Sequence, residues 1–318
     1  MPMRRTSDRV HSASAPGSAG RAAKLLSLAA LILSGCGAAE ANLLDGGAAA
    51  DHALLPPADL LAGSPAVLTL RSLGHAGLVV EQGGHLLLVD PVLTPRLRGL
   101  IARWKRAPGL DQLPTRVDAV LITHGHDDHF DPWTLRRLDR GALLVAPSGV
   151  CDRSESLFDR RRPLAPWQSV AIGPWTVTAV PAHHPTGRNP LAPYDVTTTV
   201  GYVIQGPGPT LYVSGDTEYR SHFAEIGRRF DIDVAVLNVN VHLPAGRAVR
   251  AAGDLRARAW MPMHWGGYPG FDTAVNVLQM ARLRHQAAAH PRMTWLAPGQ
   301  TARFVRAPGG RHMPLTSP

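Results

Sequence analysis

Cysteine is nearly absent from the chain: Cys36 and Cys151 are the only two among 318 residues. At most one disulfide can form, which excludes a small fold stapled by several bridges. Cys151 follows Ala146-Pro147-Ser148-Gly149-Val150 without a nearby base, so it reads as a buried structural thiol and not a nucleophile. An apolar run of membrane-spanning length is also missing, since Leu25 to Leu33 is too short to cross a bilayer as a helix. No Lys/Arg run interleaved with aromatic residues stands out in the body, which argues against a nucleic-acid partner. The densest basic cluster, Arg160-Arg161-Arg162, reads as a solvated loop before Pro163. No internal repeat is obvious. What is present is enough apolar residue, 45% of the chain, to build a sizeable core.

The N-terminus carries Arg4, Arg5, Arg9, Arg21 and Lys24, then the short apolar run, then Leu33-Ser34-Gly35-Cys36. This order resembles the signal and lipobox of bacterial lipoproteins, in which the cysteine becomes the lipidated first residue. The alternative is an ordinary signal peptide that ends near a cysteine. On the lipoprotein reading, residues 1–35 are removed as a signal peptide. Residues 36–65 are a lipidated Cys36 and an Ala/Gly/Leu/Pro-rich tether, with a short helix near Leu54–Leu61. The folded domain spans 66–306, and 307–318 form a C-terminal tail. Gly37 after the cysteine favours the periplasmic face of the outer membrane. Loss of residues 1–35 removes five basic residues and one acidic one, so the formal net charge falls from +9 to +5.

The chain is organised around Thr123-His124-Gly125-His126-Asp127-Asp128-His129. It follows Asp118-Ala119-Val120-Leu121-Ile122, a short β-branched run that reads as a buried strand. It precedes Asp131-Pro132, a helix cap followed by proline at the first helical position. Three imidazoles and two carboxylates thus crowd a tight strand-to-helix turn. A cation relieves their mutual repulsion, and imidazole with carboxylate suits zinc. A solvated polar loop is the bland alternative.

Apolar strands are expected at Val67–Arg71, Ala76–Glu81, His85–Asp90, Ala142–Ala146, Gln168–Ile172, Trp175–Val180, Thr199–Ile204, Thr210–Val213, Val234–Asn238, Ala259–His264, Thr294–Leu296 and Thr301–Val305. Helices are expected over 218–230, 246–255 and 271–284. Residues 91–114 and 185–198 read as long loops. Polar groups recur where strands stop: His124–His129, His183/His184, Asp216 and His264. Strand ends at one edge of a layered α/β domain can converge on one site.

These residues resemble the metallo-β-lactamase superfamily over roughly Val67 to Phe304. The chain is most similar to the branch containing N-acyl-phosphatidylethanolamine phospholipase D and the ascorbate-6-phosphate lactonase-like proteins. The marks are Gly74-His75-Ala76-Gly77, Leu88-Val89-Asp90-Pro91, the His124-x-His126-x-Asp128-His129 motif, Val180-Pro181-Ala182-His183-His184, Ser214-Gly215-Asp216-Thr217 and Pro262-Met263-His264-Trp265-Gly266. The resemblance implies a four-layer αββα sandwich with the site along one edge of its sheets. It implies that His124, His126 and His184 hold one zinc, that Asp128, His129 and His264 hold a second, and that Asp216 bridges them; Mn2+ or Fe would also suit these ligands. His184 is preferred to His183 by its place in the motif. The chemistry implied is hydrolysis by a metal-bridging hydroxide, with Asp128 or Asp216 orienting it or moving its proton. Phosphodiesters or related esters, including lipid-derived ones, are the expected substrates. A lactonase, and a non-catalytic metal-binding envelope lipoprotein, are the alternatives. Arg188, Tyr194, His242, Trp265 and Tyr268 are the expected substrate contacts, and His242 is also a candidate leaving-group acid; the alternative for Arg188 and for His242 is a solvated loop residue. A structural hydrogen bond is expected for His75.

Overall fold

The computed structural model describes residues 64–97, 99–103, 109, 113–114, 116–184, 198–265, 267–268, 273–285, 292–306 and 313–316. The expected signal peptide, Cys36, most of the tether with its helix, Arg188 and Tyr194 lie outside the described residues.

The domain opens with a meander of β1 (Val67–Gly74), β2 (Gly77–Gln82) and β3 (His85–Val89). The β2–β3 turn is Gly83-Gly84, with φ of 61° and 81°, a left-handed backbone that glycine adopts without steric cost. A small separate hairpin follows, β4 (Arg96–Leu97) and β5 (Ile101–Ala102). Then β6 (Ala119–Leu121), β7 (Leu143–Ala146) and β8 (Arg160–Pro163) extend the first sheet in parallel from β3. The second sheet begins with β9 (Ser169–Ile172), β10 (Trp175–Pro181), β11 (Val200–Gln205) and β12 (Leu211–Val213), all antiparallel. It ends with β13 (Val234–Asn238) and β14 (Ala259–Met263), joined in parallel. The chain then returns to the first sheet as β15 (Thr301–Val305) beside β1, and β16 (Met313–Thr316) pairs outside it. The strand orders are β16-β15-β1-β2-β3-β6-β7-β8 and β14-β13-β12-β11-β10-β9.

Alternation decides the layering. Leu78 and Val80, Leu87 and Val89, Val177 and Ala179, and Val234 and Val236 point between the sheets into one core. The intervening Val79, Leu88 and Val120 point outward and pack with Phe130, Leu135 and Leu138. On the other side Tyr212, Ala235 and Leu237 pack with Phe223, Ile226, Ala248 and Ala251. The outer layers are therefore helical. On the first sheet they are α1 (Pro132–Leu135) and α2 (Ser148–Asp152); on the second, α3 (His222–Arg229), α4 (Ala245–Asp254) and α5 (Thr273–His285). Strands buried on both faces, such as β3, β6 and β13, read as continuous apolar runs for this reason. The architecture is the expected αββα sandwich.

Three local expectations are corrected. Arg160-Arg161-Arg162 is not a loop: it pairs residue for residue with Leu143-Leu144-Val145 as the edge strand β8. Its charges suit an edge, where they discourage pairing with another chain. Thr294–Leu296 is not a strand, although Thr294 N–H donates to the Trp260 carbonyl at 2.9 Å. Beyond the expected domain end, residues 313–316 join the sheet as β16.

Candidate metal centre

The central turn forms as its sequence dictates. Asp131 caps α1, accepting from Trp133 N–H at 3.0 Å, with Pro132 in the first turn. His129 and Phe130 N–H both donate to the His126 carbonyl, at 3.0 and 2.7 Å, which folds the histidines into a compact loop. Behind it, buried Asp90 at the end of β3 accepts Thr123 N–H at 2.8 Å and the Thr123 hydroxyl at 2.6 Å. The same carboxylate accepts His129 Nδ1–H at 2.7 Å. Asp90 thus fixes the tautomer of His129 and leaves Nε2 facing the site. Thr123 Oγ1 lies 3.0 Å from His124 Nδ1 and likewise directs His124 Nε2 inward.

Three strand ends complete the cluster. His184, after β10, places Nε2 3.1 Å from His126 Nδ1, which is 2.9 Å from His124 Nε2. Asp216, after β12, lies 3.5 Å from His129 Nε2 and 3.4 Å from His264 Nε2. Asn238, at the end of β13, donates to Asp216 Oδ1 at 3.1 Å. His264, after β14, is 3.8 Å from Asp128 Oδ2. His75 approaches the same oxygen, with Nε2 3.0 Å from Asp128 Oδ2 and its ring centroid 4.0 Å from that of His264. His75 and Trp265 form an isolated antiparallel bridge: His75 N–H donates to Trp265 O at 2.8 Å, and His264 N–H to His75 O at 2.9 Å.

Three groupings of ligand atoms lie within 4.8 Å of one another: His124/His126/His184, His75/Asp128/His129/His264, and His124/His129/Asp216. Burial holds the imidazoles of His124 and His126 below the usual histidine range and lowers His184 to about 4. Burial likewise lowers His75 to about 4. Burial opposes charge on Asp128 and Asp216 too, but their histidine neighbours outweigh it and keep both carboxyls well below the usual range. At His129, burial is overcome by Asp216 and Asp90, which raise it well above its ordinary value. His264 is raised too, again by Asp216 against burial. The neutral nitrogens of His124, His126 and His184 and the ionised carboxylates are the states a metal requires, whereas His129 and His264 would release a proton when an ion binds.

The fit to a metal shows in the orphaned atoms. His129 Nε2, His184 Nδ1 and both ring nitrogens of His264 are buried without a hydrogen-bond partner. Buried polar atoms are rarely left so, and an ion at the site accounts for those that face it. An all-imidazole and carboxylate donor set suits zinc, manganese or iron.

The seven expected ligands therefore come together, and His184 takes the position in preference to His183. The exposed His183 ring instead packs 5.0 Å from that of His222. His75 makes the expected hydrogen bond. His242 reaches the site, its ring 4.7 Å from His184. Tyr268 stands 5.9 Å from His75 between ring centroids, its hydroxyl donating to Thr94 O. Trp265 is corrected: its indole is buried in the outer core against Trp295, 4.8 Å between centroids, and does not present itself to a substrate. Asp90 and Asn238 were missed as site residues. An aspartate ending a buried strand before proline was the available signal for Asp90; Asn238 offered only its place at the end of β13.

A family model described as the beta-lactamase superfamily domain matches residues 85–265. A UPF0173 metal-dependent hydrolase of Anaeromyxobacter sp. (strain K) is 32% identical over 217 residues, covering 62% of this chain and 74% of that protein. One from Pyrobaculum aerophilum is 30% identical over 212 residues, covering 64% and 86%. Among solved structures, the metallo hydrolase Igni18 from Ignicoccus hospitalis shares the fold with a TM-score of 0.59 at 22% identity, over 75% of this chain and 98% of that one. By sequence, by fold and by the ligand set at its strand ends, the chain belongs to the beta-lactamase superfamily, among its metal-dependent hydrolases.

Proposed function

We propose that the chain is a two-metal hydrolase of phosphodiesters or related esters. The observation that carries the proposal is the two adjoining ligand groups, with Asp216 between them. His124, His126 and His184 would hold one ion, and Asp128, His129 and His264 the other. A pair of divalent cations there supplies Lewis acidity, drawing charge from the attacked ester.

The chain's own residues do the rest. Asp90 aims His129, His75 steadies Asp128, and Asn238 fixes Asp216. These contacts hold the donors in place before substrate arrives, so little reorganisation is needed. His242, half-buried with its ring 4.7 Å from that of His184, would serve as the acid for the leaving oxygen. The phosphodiester preference rests on the resemblance to the phospholipase D-like branch. Location at the envelope through lipidated Cys36 rests on the lipobox alone.

Metal analysis of the purified protein should give close to two ions per chain; none after metal supplementation would sink the proposal. Asp216→Ala should lower metal content and abolish turnover while the domain stays folded. A screen of phosphodiester, lactone and β-lactam substrates on metal-loaded protein separates the ester reading from the lactonase. No turnover on any class by a fully loaded protein would favour the non-catalytic reading. Labelled palmitate that still enters a Cys36→Ala chain would count against lipidation there.

A further inference from the structure

Most of the proposed ligands are aimed by a neighbouring group. Thr123 directs His124, Asp90 directs His129, His75 contacts Asp128, and Asn238 donates to Asp216. His184 differs. Its Nε2 lies 3.1 Å from His126 Nδ1, at the site, while its Nδ1 is buried without a hydrogen-bond partner. A metal-binding imidazole ordinarily has that second nitrogen tied to a carboxylate or carbonyl. Beyond ring packing against His124, His126 and His242, the place of His184 must therefore be set through its backbone. The sheet does not fix its distance from Asp216. His184 follows β10 and Asp216 follows β12, and β11 runs between these two strands. Two strand spacings, roughly 10 Å, separate their ends, and no ladder joins them directly.

Residue 183 closes that gap. His183 N–H donates to Thr217 Oγ1 at 2.8 Å, and His183 O accepts Glu218 N–H at 2.7 Å. Both backbone groups of the residue before His184 are thus held by the two residues after Asp216. Thr217 is fully buried. Its own proton has Glu218 O at 3.2 Å and His222 Nε2 at 3.4 Å in reach. Burial lowers His222 to about 4, which keeps that ring neutral and able to accept. Through His222 the clamp is anchored to the first turn of α3. We infer that Thr217 is a positioning residue: its hydroxyl, acting through the backbone of residue 183, sets where His184 stands relative to Asp216. The consequence for ion binding rests on the two-metal reading of the site; the clamp itself does not.

The test compares Thr217→Val with Thr217→Ser in the full chain. Valine matches threonine in shape and lacks the acceptor; serine keeps the acceptor and loses a methyl. In the metal-free chain, the ring resonances of His184, identified by their loss in His184→Ala, should move in Thr217→Val and stay in place in Thr217→Ser. Zinc titration against a chromophoric chelator should show one ion weakened about tenfold or more in Thr217→Val, with Thr217→Ser close to wild type. In a His184→Ala chain, adding Thr217→Val should weaken zinc binding no further, whereas a purely structural loss would add in full. Unmoved His184 resonances in Thr217→Val, an equal movement in Thr217→Ser, zinc affinity in Thr217→Val equal to that of a wild type holding two ions, or full additivity with His184→Ala would each overturn the inference. A wild-type chain that binds no zinc would sink the two-metal reading, and the resonances of the metal-free chain would still decide the clamp.

Discussion

Replacing Asp90 by asparagine isolates the support of the site from the site itself. Asp90 has a φ of 42°, a left-handed backbone that asparagine shares with aspartate, so the backbone is undisturbed. Only one carboxylate oxygen becomes an amide. One oxygen accepts Thr123 N–H; the other accepts the Thr123 hydroxyl and His129 Nδ1–H. With the NH2 facing Thr123 N–H, two donors oppose each other and a buried N–H loses its partner, at a cost of about 1–3 kcal/mol. With the NH2 facing His129, the imidazole must switch tautomer, and Nε2 acquires the proton that blocks metal binding. The first orientation lowers stability, and the second costs affinity, about 10- to 100-fold, at the ion held by His129. Titration against a chromophoric chelator resolves this as one weakened site beside one that changes little. An Asp90→Asn protein that binds both ions as tightly as wild type, with an unchanged denaturation midpoint, would refute the account.

Two further outcomes follow from the geometry. Gly215 has a φ of 58°, and a Cβ there would stand 2.8 Å from Thr123 Cβ. Gly215→Ala should therefore lose at least about 1–2 kcal/mol from backbone strain alone, and an unchanged urea midpoint would contradict the placement of this turn. Burial pushes the Cys151 thiol up to about 11. In a Cys36→Ser chain it should react with an aromatic disulfide at pH 8 only after unfolding. The raised value makes a stabilising contribution complete below the ordinary thiol value of 9.0 and lost as pH rises through 11. Native reactivity equal to that of a small thiol would refute the burial.

Much of the layering was legible because strands covered on both faces, such as Val234–Asn238, are unbroken apolar runs flanked by polar turns. The ligands were legible because each lies where such a run stops. Asp90 was not, since its importance depends on His129, which reaches it only through space. Nor was β8, whose three arginines carry no strand pattern and are ordered by hydrogen bonds to β7. Trp265 was misplaced for a related reason. Adjacency to a ligand in sequence says nothing about facing: at His264 the backbone turns left-handed, with φ of 76°, and the next side chain enters the core. The hairpin tip, Leu100-Ile101, fell within what reads as an irregular loop, because two-residue strands leave no periodicity to detect.

The bridge between His75 and Trp265 ties the last proposed ligand in the sequence to the first strand of the fold. His264 N–H donates to His75 O and His75 N–H to Trp265 O, so the loop after β14 is anchored at the end of β1. That anchor leaves His264 within 3.4 Å of Asp216 and 3.8 Å of Asp128. A chain cut before residue 264 would keep His124, His126 and His184 but lose both this donor and its anchor, so it should hold at most one ion.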